Sequence, residues 1–383
     1  MKRILFVINN MNIGGIQKSL LELLKVLAEE DDVSVSLFCC KHGGSLQTAI
    51  PEKIQIFPED PWAAVSELSL SECKAKGMKY YLFRVFATTW TKTFSKAFPA
   101  KLLCRKVKIS GNYDWAISFS QPINEKAFCT LPNEIALACC KADRTATFVH
   151  CDFKNYGGNS PANRTLYRKF DRVAAVSDSV GKVIGDCIPE VADKLFTVYN
   201  CCDREEVKRL AQEEPVTYDK TTFVTVARLS QEKGLLRCVP IFARLRDEGY
   251  DFCWHIVGGG PLKNALLEQI RQYGMEERII LEGEQINPHR YVKNADYFLL
   301  PSYHEAAPMV FGEARTLGVP VLTTDTLSAR ELVESCGGGL VCENRDDAIY
   351  EMLCRALKQQ DTFLKVGKPS NELALAQFHQ LCN

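Results

Sequence analysis

Short apolar runs alternate with helical stretches, and the alternation starts afresh some 200 residues into the 383-residue chain. A strand, a helix and another strand return the chain in one direction, so the pattern demands parallel sheets. RILFVI at 3–8 is a continuous apolar run, as expected of a strand buried on both faces. A loop with Gly14 and Gly15 follows, and then Leu20, Leu23, Leu24 and Leu27 repeat at helical spacing. VSVSLFC from Val33, WAISFS from Trp115, ATFVH from Ala146, RVAAVS from Arg172 and LFTVYN from Leu195 supply further strands. The stretch from Tyr199 to Asp219 is polar, helical in its middle and closed by Pro215, and reads as the join between domains. FVTVAR from Phe223, FCWHIVG from Phe252, IILEG from Ile279, YFLLPS from Tyr297 and PVLTT from Pro320 then alternate with helices again. The expectation is an α/β chain of two doubly wound Rossmann-like domains facing a cleft, over 1–200 and 201–365, with a C-terminal helix in 366–383 returning to the first.

Composition supports two cores and removes several classes of function. Hydrophobic residues make up 46% and charged residues 25%, an ordinary globular mixture. The formal charge is +0, which argues against a nucleic-acid partner held by bulk electrostatics. No run is long and apolar enough to cross a bilayer, and the opening MKRILFVINN is too short in apolar residues for a secretory leader. The 17 cysteines show no C-x-x-C spacing, so no zinc or redox motif is indicated. They read as small buried hydrophobes in a reducing cytoplasm.

Three motifs carry chemistry. The first is PSYHEAAPMVFGEARTLGVPVLTT, from Pro301. Glu305 lies at a strand exit and Glu313 in the first turns of the next helix, separated by the small-residue loop Ala306, Ala307, Pro308, Met309, Val310. A helix start offers free N–H groups and a positive dipole end, which suits a diphosphate, and the flanking carboxylates can accept bonds from sugar hydroxyls. The plainer reading makes Glu313 a solvated helix residue and Glu305 a dipole partner.

The second motif is VARLSQEKG at 226–234, with Arg228 leaving a strand and Lys233 beside Gly234. Two cations there can clamp a pyrophosphate and stabilise its leaving charge, or can simply be surface charges. The third is VGGGP at 257–261, where Gly259 and Gly260 would let backbone approach a ligand. Lys263 occupies the place of the last glycine of a G-x-G-x-x-G fingerprint, so a nicotinamide-dependent dehydrogenase is not indicated.

The order and context of these motifs over most of 222–345 resemble the donor-binding half of glycosyltransferase family 4, which has the GT-B fold. The resemblance implies a nucleotide-sugar donor, by family habit a UDP-sugar, with no cofactor and no metal. It implies retention of anomeric configuration. On the matching positions, Arg228 and Lys233 would hold the diphosphate, Glu305 the donor-sugar hydroxyls and Glu313 the ribose. The backbone at Ala307, Pro308, Met309 and Val310 would cap the phosphates, and Gln285 and Ile286 would hold the base by main chain. Ala306 stands where many members have glycine, which bears on the identity of the sugar. In the N-terminal half NIGGIQKSL resembles the family's glycine-rich loop, so Gly14 and Gly15 would face the donor phosphates and the acceptor. FVHCDF places His150 after a strand, where relatives have a histidine contacting the donor sugar; the alternative is a structural histidine.

The implied activity is that of a hexosyltransferase-type enzyme acting on a glycan or lipid-linked acceptor in surface polysaccharide synthesis. A nucleotide-sugar epimerase, or a catalytically silent nucleotide-sugar-binding partner of another transferase, are the alternatives. From Cys73 to Tyr113 there are ten basic residues, several aromatics and no acidic residue. The rest of the chain therefore sums to −10. That stretch is either a peripheral membrane contact, at the inner face of the cell membrane, or a helical insertion with solvated lysines.

Overall fold

The computed structural model describes residues 1–121, 124–155, 158–335, 337–358 and 371–383. The chain divides into two units, Met1–Cys201 with Asn371–Asn383, and Cys202–Ser370.

The first unit holds a seven-stranded sheet in the order β3-β2-β1-β4-β5-β6-β7. Its strands are β1 (Lys2–Ile8), β2 (Val33–Cys39), β3 (Gln55–Ile56), β4 (Tyr113–Ser118), β5 (Ala142–Val149), β6 (Arg172–Ala175) and β7 (Leu195–Thr197). All neighbours pair in parallel. In β1 residues 4–8 are all buried, because helices cover both faces of the sheet. Leu5 and Val7 enter a core with Phe38, Leu103 and Ile135, while Phe6 faces the other way onto Phe119 and Phe378. Phe378 belongs to helix Asn371–Leu381, so the end of the chain completes the first unit's core. The Cys382 carbonyl accepts bonds from Trp115 Nε1 at 2.9 Å and Lys2 Nζ at 2.8 Å.

The second unit holds a six-stranded parallel sheet in the order β10-β9-β8-β11-β12-β13. Its strands are β8 (Thr221–Val226), β9 (Phe252–Val257), β10 (Ile279–Gly283), β11 (Tyr297–Leu300), β12 (Val321–Thr324) and β13 (Gly339–Cys342). Alternate residues feed two cores: Phe223, Tyr297 and Leu299 join one with Trp254 and Phe242, and Val224, Phe298 and Leu300 join the other with Phe311 and Val333. The fold class expected from the alternation is therefore present in both units.

Local detail extends and corrects these readings. The helix expected in the middle of the stretch read as the join is Arg204–Ala211, and it is part of the second unit. Asp203 caps it by accepting from Glu206 N at 3.0 Å, and its buried Val207 and Ala211 dock it near helices His289–Val292 and Met309–Thr316. β4 lies two residues earlier than its apolar run suggests, so Phe119 and Ser120 belong to the exit loop. β3 and β13 carried no recognisable signal, the former having only two residues and the latter no fully buried one.

In each sheet the strand order reverses once, between β1 and β4 and between β8 and β11. Loops leaving the C-terminal ends of such strand pairs diverge and leave a crevice, the usual ligand position in this architecture.

Candidate donor site

At the second unit's reversal point, β8 emits 227–234 and β11 emits 301–308. Backbone bonds tie the two loops: Tyr303 N donates to the Glu232 carbonyl at 2.8 Å. Gly234 makes the approach possible. Its φ is +66°, and a Cβ there would stand 2.2 Å from the Pro301 carbonyl oxygen.

Of the sequence-predicted charges, Lys233 and Glu305 meet across these loops, whereas Arg228 pairs within its own. Lys233 Nζ lies 2.5 Å from Glu305 Oε1, with both side chains largely buried. Ser302 Oγ donates to the same oxygen at 2.7 Å. Glu305 Oε2 has no protein partner among the described residues. Arg228 Nη2 pairs with Glu232 Oε1 at 2.9 Å, and the Arg228 side chain remains 68% exposed. Glu232 is shared, since Ser230 Oγ also donates to it at 2.6 Å. Its carboxyl is held below the usual range: burial pushes it up, but the bonds from Ser230, its own backbone and Arg228 outweigh that.

Helix Met309–Thr316 follows the Glu305 loop. Its N-cap is Pro308, no side chain caps its leading amides, and no acidic residue occupies its first turn. Glu313 sits in its second turn and is buried, not solvated, with His289 Nδ1 at 3.7 Å from its carboxylate. The base-side candidates are placed differently from each other. Gln285 donates from its side chain to the Glu282 carbonyl at 2.7 Å, whereas Ile286 is fully exposed.

The triple glycine is explained by the protein itself. Gly258 has φ +145°, and a Cβ would stand 2.0 Å from the Ala227 carbonyl oxygen; at Gly260, φ +150°, it would stand 2.5 Å from that of Leu229. Leu229 N donates to the Gly259 carbonyl at 2.8 Å. These glycines pack the β9 exit against the β8 exit and so fix where Arg228 starts. Ligand approach alone is therefore not needed to account for them.

Sequence reasoning missed the supports of the β11 exit. Arg237 lies on helix Leu235–Asp247 with its side chain buried. It donates to the Pro301 carbonyl at 2.6 Å and to Asn344 Oδ1 at 2.8 Å, and its guanidinium stacks 4.0 Å from the Tyr303 ring. Asn344 donates to the Tyr303 carbonyl at 3.0 Å. Thr324 Oγ1 donates to the Ser302 carbonyl. An arginine in the apolar run LLRCVPIF was the only available signal.

The first unit's reversal point has a different chemistry. Gly14 is the extended N-cap of helix Gly15–Ala28, and Gly15 has open space where a side chain would stand. Asn9 Oδ1 accepts from Ser120 Oγ at 2.8 Å and from Gln17 at 3.4 Å. His150 follows β5, between Phe119 and Phe148. Its backbone N–H donates to Gln121, and its ring Nε2 is shut from water with no partner among the described residues. Burial lowers its pKa to about 3 against the opposing pull of a bond to the Phe119 backbone, so the imidazole is neutral. Asp152 is spent on the turn, accepting from Asn155 N at 3.1 Å and Asn155 Nδ2 at 2.9 Å.

Comparison with known proteins places the charged site in context. Residues 207–371 match the family model described as glycosyl transferases group 1. A Campylobacter jejuni N-acetylgalactosamine-N,N'-diacetylbacillosaminyl-diphospho-undecaprenol 4-alpha-N-acetylgalactosaminyltransferase is 30% identical over 177 residues, 46% of this chain and 47% of that one. The Erwinia amylovora amylovoran biosynthesis glycosyltransferase AmsK is 29% identical over 166 residues, 41% of each chain. The chain thus spans less than half the length of these two relatives. The solved structure of Anabaena HepE in complex with UDP-glucose superimposes with a TM-score of 0.64 at 17% identity, covering 100% of this chain and 98% of that one. At that identity the likeness is one of fold, that of the GT-B glycosyltransferases.

Proposed function

We propose that this chain, whose residues 207–371 match the group 1 glycosyl transferase model, is a retaining, metal-independent transferase that takes a UDP-sugar and passes the sugar to a glycan or lipid-linked acceptor in polysaccharide assembly. The observation that carries the reading is the Lys233–Glu305 pair at the β8/β11 reversal, beside Arg228 and the uncapped start of helix Met309–Thr316. The named activities of relatives in glycan and polysaccharide synthesis, and the UDP-glucose bound by HepE, support it.

The roles follow from the bonds left open. One Lys233 proton is directed at Glu305, leaving two to donate to a diphosphate. Arg228 has guanidinium N–H groups beyond the one that meets Glu232. The helix's leading amides add a further positive end. As the sugar C1–O bond breaks, these groups take up charge on the diphosphate, and each preorganised donor contributes on the order of 2–4 kcal/mol. The free Oε2 of Glu305 accepts a donor-sugar hydroxyl, Glu313 the ribose, and Gln285 and Ile286 flank the base. In the first unit, assigned to the acceptor side, buried and neutral His150 supplies no charge and acts by holding the end of β5 in place. The attacking acceptor hydroxyl gives its proton to the departing phosphate oxygen, and the new bond forms on the face the leaving group vacates.

The test is acceptor-dependent nucleotide release across a panel of nucleotide sugars. Turnover of one UDP-sugar, with the anomeric configuration kept and less than a twofold loss after chelator treatment (about 0.4 kcal/mol), is expected. Donor binding with no transfer to any supplied glycan or polyprenyl-diphosphate acceptor would favour the silent partner, and inversion of the product would remove the retaining mechanism.

A further inference from the structure

The acid-free stretch from Cys73 to Tyr113 folds as three helices, Leu70–Lys76, Met78–Thr93 and Ala97–Cys104, on the first unit. The middle helix is anchored by Tyr80, Ala87 and Thr91, which are buried; Tyr80 packs edge-on against Trp62 with ring centroids 4.9 Å apart. A helix anchored on one side should present polar residues on the other. Here the opposite face carries Met78, Leu82, Val85 and Phe86, at spacings of four, three and one, and the first two are 57% and 59% exposed. Phe94 and Phe98, 60% and 46% exposed, extend the patch, both packing on Trp90 at 4.7 and 5.0 Å between ring centroids. Contiguous exposed apolar surface of this kind marks an interaction site.

The charges around it choose the partner. Of the ten bases, Lys76 pairs with Glu59 and buried Lys96 with Glu134. Arg84 donates to the Ser66 and Phe128 carbonyls, and Lys79 lies over the Trp62 and Tyr80 rings. Lys74, Lys92, Lys101, Arg105, Lys106 and Lys108 are exposed and have no acidic partner among the described residues. Lys101 and Arg105 follow Phe98 by three and seven residues, on the same side of helix Ala97–Cys104. Two copies joined through this face would set these cations against each other. An acidic protein or nucleic acid would satisfy the charge but leave the exposed rings without an apolar phase.

We propose that this face of helices Met78–Thr93 and Ala97–Cys104 docks on a bilayer containing anionic lipid. The aromatic and aliphatic side chains enter the headgroup boundary and the unpaired cations meet lipid phosphates. The proposal is independent of the donor chemistry, and among the described residues no helix is long and apolar enough to cross the bilayer.

The test is flotation of the full chain with vesicles of mixed phosphatidylglycerol and phosphatidylcholine, and with phosphatidylcholine alone. Salt-sensitive binding to the mixed vesicles, and weak binding to phosphatidylcholine, is expected. Met78→Ser with Leu82→Ser and Phe94→Ser should lower binding to the mixed vesicles by at least tenfold at any salt, given about fourfold per buried methylene-sized increment. Lys101→Gln with Arg105→Gln and Lys106→Gln should lower it about fivefold per cation at low salt and much less at high salt. Thermal melting and transfer to a soluble acceptor should be unchanged in both triples. If the apolar triple misfolds, the charge triple, at exposed positions, still decides. No binding by the wild-type chain, or wild-type binding by a folded triple, overturns the proposal. So does a dimer in sedimentation that the apolar triple dissociates, which assigns the face to a second copy.

Discussion

The two reversal points are topologically equivalent and chemically opposite. At β8/β11 the loops carry charge in pairs, Lys233 with Glu305 and Arg228 with Glu232. At β1/β4 the groups bonded together are amides and hydroxyls, Asn9 with Ser120 and Gln17, close in sequence to the N-cap Gly14 of a helix. His150, at the end of β5, is kept neutral by burial. One parallel-sheet scaffold thus carries paired charges at one reversal point and neutral hydrogen-bonding pairs at the other, with loop composition deciding which. The β11 exit also has its carbonyls at Pro301, Ser302 and Tyr303 each taken by a side chain from elsewhere.

The sharpest way to break the comparison is to remove one polar group from each side. Lys233→Ala deletes a charge-stabilising donor and should lower turnover roughly 10²- to 10³-fold. Asn9→Ala deletes a neutral hydrogen-bonding group and should cost less than about tenfold. Steady-state kinetics on both variants, with melting curves to confirm folding, checks this; equal losses would erase the distinction between the two sites.

A smaller effect sharpens the neutral side. His150 titrates near 3 in the folded chain against an ordinary value of 6.5, so the unfolded chain takes up its proton first. Stability from this group is fully present above pH 6.5 and is lost as pH falls from there towards 3, by up to about 1.4 kcal/mol per pH unit. His150→Asn should therefore show a shallower fall of the urea midpoint with pH over that window. An unchanged slope would mean that the imidazole is charged in the fold.

The strands of both sheets were legible where they are buried on two faces, because a continuous apolar run is then unavoidable; β1 and β11 are the clearest cases. Strand β13 escaped notice because all four of its residues are only partly buried and no such run is required. β5 was legible only from Ala146 onward, since its first residues Ala142, Asp143 and Arg144 lie outside the core. In the candidate site, Arg228, Lys233, Glu305 and Glu313 could be read because each stands next to a strand or helix end that the pattern locates. Arg237, His289, Asn344 and Thr324 could not. Each acts through a partner at least 22 residues away, often a backbone carbonyl, and side-chain periodicity carries no record of such bonds. The glycines at 258–260 were visible, but their cause, contact with the β8 exit, required coordinates.

The proposal that Arg228 and Lys233 bind a diphosphate in the second unit is tested most directly by calorimetric titration of UDP and of uridine into the wild-type chain and Lys233→Ala. The expected result is a Kd for UDP raised at least tenfold by the substitution, about 1.4 kcal/mol, with the Kd for uridine unchanged. Equal affinity of both proteins for UDP would contradict the assignment.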